Sequence, residues 1–96
     1  MPKILLYISS QITWIFLFYG TDINENRAHV HVGKRGTDKY CEIWLEPDVC
    51  VAEKGELTEQ QVKQVVSIVL NHKEELMNQW RKFIKGETIK IITVKE

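Results

Sequence analysis

Cysteine is scarce in this 96-residue chain, at two residues, and an excess of either charge is absent, with thirteen Lys+Arg against thirteen Asp+Glu. Two cysteines build neither a disulfide framework nor a four-thiolate zinc site, and they suit a reducing cytoplasm. A zero formal charge excludes a histone-like binder that holds nucleic acid by bulk charge. No apolar run is long enough to span a membrane. Residues 4–19 come closest, but Ser9, Ser10, Gln11 and Thr13 interrupt them, and a spanning helix needs about 18–20 apolar residues. The stretch that follows, Gly20-Thr21-Asp22-Ile23, lacks the small-x-small pattern of a cleaved signal peptide. Internal repeats and low-complexity segments are also missing.

What is present is a globular composition, 44% hydrophobic and 27% charged, sized for one domain over residues 1–96. Alternating, β-branched and aromatic residues predict strands over 3–8 and 12–19, joined by Ser9-Ser10-Gln11. The second strand is apolar on both faces, with Trp14, Phe16 and Phe18 on one and Ile15 and Leu17 on the other. Such a strand lies centrally and needs cover on each side, one layer of which a partner subunit can supply. A polar loop at 22–26 leads to a third strand, Ala28-His29-Val30-His31-Val32. After a basic turn at 34–38 comes a fourth over 40–45, then the Pro47-Asp48 turn and a short fifth over 49–52. A two-residue loop there sets Cys50 opposite Leu45 rather than Cys41, which argues against a disulfide.

Thr58 with Gln61 reads as a capping box opening a helix. Apolar residues then recur at helical spacing from Val62 through Val65, Val69, Leu76 and Trp80 to Ile84, and Gly86 ends the run. The polar run 71–75 is where such a helix would divide in two. A last strand over 88–94 returns to the sheet. The fold expected is α+β: a mainly antiparallel sheet of five to six strands, with one long C-terminal helix packed on one face.

Three histidines stand out. Period 2 places His29 and His31 on one strand face, where together they can hold a metal ion or an anion. His72 lies in the helical stripe with Val65, Val69, Leu76 and Trp80, so it points toward the sheet. If the helix covers the histidine face, the three imidazoles converge; if it covers the Val30/Val32 face, they do not. Imidazole titrates near neutrality and suits acid–base work on a phosphodiester, and a three-histidine set, with Glu42 nearby, suits zinc or another divalent metal. Arg27, Lys34 and Arg35 flank the pair as candidate anion-binding groups, RNA phosphate included; a solvated hairpin turn is the simpler explanation of them. Partly buried, hydrogen-bonded histidines are the structural alternative for the cluster itself.

Four segments taken together resemble a bacterial family of small domains of unknown function: Met1-Pro2-Lys3-Ile4, Ala28-His29-Val30-His31-Val32, Trp44-Leu45-Glu46-Pro47 and the helical stretch from His72 to Trp80. That family has a Pro-His-x-His strand and a His…Glu-Leu…Trp helix, and its histidines and tryptophan match His29, His31, His72 and Trp80. The chain departs from it at Asn26-Arg27-Ala28, where the proline is missing. The resemblance implies a cytoplasmic protein encoded beside a second small protein, in an arrangement like a toxin–antitoxin pair. The expectation is therefore a partner-binding component of such a pair, also forming a homo-oligomer. The alternative is a ribonuclease-like or metal-dependent phosphoesterase built on His29, His31 and His72.

Overall fold

The computed structural model describes residues 2–24 and 26–96; Met1 and Glu25, the latter inside the loop expected at 22–26, lie outside the described residues. Six strands form one sheet: β1 (Lys3–Ile8), β2 (Thr13–Leu17), β3 (His29–Lys34), β4 (Cys41–Trp44), β5 (Cys50–Glu53) and β6 (Ile92–Lys95). Their order is β5-β4-β3-β2-β1-β6. Every pairing is antiparallel except that of β6, which lies parallel to β1 with Leu5 opposite Ile92. The α+β class and the mostly antiparallel sheet agree with the sequence, while the last strand forms later in the chain than its apolar residues suggested.

Two helices pack on the sheet, α1 (Glu59–Asn71) and α2 (Lys73–Ile84), rather than one long helix. The division falls at His72, whose backbone leaves the helical region at φ −120°, ψ 22°. Its N–H still reaches the Ile68 carbonyl and its carbonyl accepts from Leu76, so the rod is bent rather than cut. The bend lets each half lie along a twisted sheet that a straight rod would leave. The start of α1 follows the sequence closely: the Thr58 hydroxyl accepts from the Gln61 N–H at 3.1 Å and the Gln61 side-chain Oε1 accepts from the Thr58 N–H at 3.0 Å.

The register shows which face the helices cover. Leu5, Phe16, Val32 and Cys41 are successive partners across four strands, all fully buried. They belong to one core with Val65, Val69 and Leu76. Because side chains alternate along a strand, His29 and His31 lie on the opposite face, in the row Leu17–His31–Glu42. That face is covered at one end by a 3-10 turn over Gly20–Asn24, which overlaps the polar loop expected at 22–26.

Cys50 pairs with Trp44, one position from the expected Leu45, and Cys41 pairs with Val32; both thiols are free. No helix among the described residues is long and apolar enough to cross a membrane.

A candidate histidine–aspartate site

The site is assembled by β3 and the 3-10 turn that precedes it. Asp22 is 7% exposed, His29 2% and His31 9%, so three polar side chains share a nearly dry pocket. The Asp22 carboxylate joins the two imidazoles: Oδ1 lies 3.1 Å from His29 Nε2 and Oδ2 lies 3.1 Å from His31 Nε2. The Tyr19 N–H donates to Oδ2 at 2.7 Å and fixes the carboxylate's orientation. Glu42, the register partner of His31, brings an oxygen to 3.9 Å from His29 Nε2.

On its other side His29 Nδ1 lies 2.9 Å from the Arg27 carbonyl oxygen. A carbonyl only accepts, so Nδ1 carries a proton and, in the neutral ring, Nε2 turns its lone pair toward Asp22. A carboxylate oxygen facing that lone pair in a buried site needs a proton or a cation between them. Burial pushes the His31 imidazole below its ordinary value, and His29 adds to this, while Asp22 and Glu42 pull the other way. Burial, with Tyr40 and Asp22 beside it, raises the Tyr19 hydroxyl.

Aromatic rings wall the pocket. Tyr19 meets His31 edge-on at 4.3 Å between centroids, and Trp44 and Trp80 lie 5.4 and 5.2 Å from His29. Trp80 also packs against Phe18 at 5.2 Å, so the second helix reaches His29 through its indole at the end of the sheet.

His72 stands elsewhere. Its Nδ1 pairs with Glu75 Oε2 at 2.6 Å and its ring meets Tyr7. Tyr7 is opposite Trp14, which is opposite Lys34, at the far end of β3 from His29 and on the helix-covered face. The structure therefore brings His29 and His31 together and leaves His72 out, because the helices cover the Val30/Val32 face. The anion-binding candidates divide as well. The Arg27 Nε donates to the Glu46 carbonyl at 2.7 Å and its guanidinium stacks 4.1 Å above Trp44. Lys34 ends β3 and Arg35 follows it, both exposed, about 10 and 13 Å along the strand from His31 at 3.3 Å per residue. Asp22 was not singled out from the sequence. The available signal was a carboxylate in the short connection leading into a His-x-His strand.

The chain is thus a small α+β domain with two helices on one face of the sheet and a buried Asp/His/His cluster on the other. The chain belongs to the family described as a domain of unknown function (DUF4160), whose model matches residues 13–81 and so includes Asp22, His29, His31, His72 and Trp80. Neither the curated proteins nor the solved structures give a match.

Proposed function

We propose that this is the partner-binding component of a toxin–antitoxin-like pair, acting in the bacterial cytoplasm on a small protein encoded by a neighbouring gene. The observation that carries the reading is the pair Leu6 and Ile15. They are register partners in the middle of the sheet, half-buried, on the face away from the helices and outside the core cluster. They floor a depression of about 450 Å³ rimmed by Lys3 and Arg35. An apolar floor with a cationic rim fits an acidic segment that inserts one or two apolar side chains. A two-fold pairing through the same patch would set these cations against their copies. A homo-oligomer would therefore form through another surface, such as the edge strand β5 with its exposed Val51. Light scattering on the chain alone and mixed with the neighbouring gene's product tests this. A complex that Ile15→Asp and Arg35→Glu each disrupt is expected; a monomer that ignores the partner overturns it.

A second reading, phosphodiester cleavage with RNA as the substrate class, is favoured by His31. It is a neutral imidazole one carboxylate away from a second imidazole, which suits general acid–base work. In this form the reading exchanges His72 for Asp22 and relies on Lys34 and Arg35, since Arg27 is already engaged. Loss of RNA cleavage in His31→Ala, with His72→Ala unaffected, is the expected result; cleavage unchanged in His31→Ala removes it.

A further inference from the structure

We propose that Asp22, His29 and His31 bind one divalent transition-metal ion of the zinc class, with Glu42 at the edge of the fourth position. This rests on neither reading above. One ligand atom from each of the three residues lies within 4.8 Å of the others, and both carboxylate–imidazole separations are 3.1 Å. Ligand atoms around a tetrahedral ion at 2.0–2.2 Å are about 3.3 Å apart, and each imidazole nitrogen stands near that distance from one Asp22 oxygen, Oδ1 for His29 and Oδ2 for His31. Two imidazoles and a carboxylate suit zinc or iron(II) better than calcium or magnesium, which prefer oxygen ligands.

The surroundings are those of a ligand set held in advance. His29 donates Nδ1–H to the Arg27 carbonyl, the contact that in metal sites fixes the ring and points Nε2 at the ion. Asp22 is oriented by the Tyr19 N–H. Glu42 is about a quarter exposed, so its side of the pocket offers the ion a path from solvent. The simplest competitor is a proton on His29 Nε2, which makes an imidazolium bridging Arg27 and Asp22. A proton bridges His29 to Asp22 and leaves His31 a neutral donor to Oδ2, whereas one ion takes a lone pair from each imidazole and from Asp22. Bound there, it clamps the Gly20–Asn24 turn onto β3.

The test is titration of the metal-free full chain with zinc and, as a spectroscopic probe, cobalt(II). Uptake of one equivalent is expected, with visible cobalt bands and a higher melting temperature that a chelator reverses. Asp22→Asn, nearly isosteric, should weaken binding by more than about 100-fold, beyond the 10–100-fold typical of outer-shell changes. His31→Gln should do the same, and His72→Ala should bind like the parent. Nitrogen-15 spectra of the parent imidazoles decide the matter even if a variant fails to fold, because Nε2 of both His29 and His31 should shift on adding zinc. No uptake by the folded parent overturns the proposal. So does uptake that survives Asp22→Asn.

Discussion

The Tyr40 ring lies directly over Gly33: a Cβ placed on Gly33 would stand 2.7 Å from Cε1 of that ring. Gly33 follows His31 by two residues on the same face, and Tyr40 lies 6.4 Å from Tyr19, the ring that covers His31. Gly33→Ala should therefore displace Tyr40 and cost about 1–3 kcal/mol, the range for overpacking. A urea melt reads the loss. In a Tyr40→Ala background the same substitution should become nearly neutral, which separates the steric effect from any backbone effect.

Glu56 accepts from the backbone N–H groups of Asp38 at 2.6 Å and Lys39 at 3.0 Å. These bonds hold its carboxyl below the ordinary value, the Lys39 bond most and the Asp38 bond next. A carboxyl with a depressed folded value adds stability that is present above its unfolded value and lost as pH falls through the folded one. The 37–40 turn should thus loosen only in acid, and amide resonances of Asp38 and Lys39 should titrate together below pH 4.5. In Glu56→Gln that titration should vanish.

The two thiols should differ sharply in reactivity. Burial pushes Cys41 up to about 11, with Glu42 adding to it, while Cys50 is exposed. Attack by a disulfide reagent needs both thiolate and access. At pH 8 one thiol per native chain should react quickly and the second only after denaturant is added, with Cys50→Ser removing the fast phase.

Gln79 is buried, and its amide donates to the carbonyls of Ile4 at 3.0 Å and Lys90 at 2.7 Å. One side chain on α2 thereby ties β1 to the segment leading into β6. Gln79→Ala leaves two carbonyls without that donor and should cost about 1–3 kcal/mol. Hydrogen exchange should show the loss concentrated at Ile92–Lys95, with Val30–Val32 protected as before.

Much of the architecture was legible because local chemistry dictates it. The first strand, the Thr58–Gln61 cap and the shared face of His29 and His31 all follow from spacing of a few residues. The bend at His72 was marked by the polar run around it, yet its continuing apolar phase read as a single rod. Which face the helices cover was not legible, since Ile15 and Leu17 are as apolar as Trp14 and Phe16. That one ambiguity decided whether His72 could join the other imidazoles. Asp22 was hidden differently: in a polar connection every carboxylate looks solvated until the turn folds back over the strand.

The parallel pairing of β1 with β6 sets an order of events during synthesis. Antiparallel neighbours β1 to β5 can associate while the helices are still being made, but the outer backbone of Leu5–Ile8 stays open until Ile92–Lys95 emerges. For that interval the nascent chain carries an unguarded strand edge, the kind of surface on which polypeptides cross-associate. Slowing translation between α2 and β6 should therefore increase aggregation more than the same pause placed before α1.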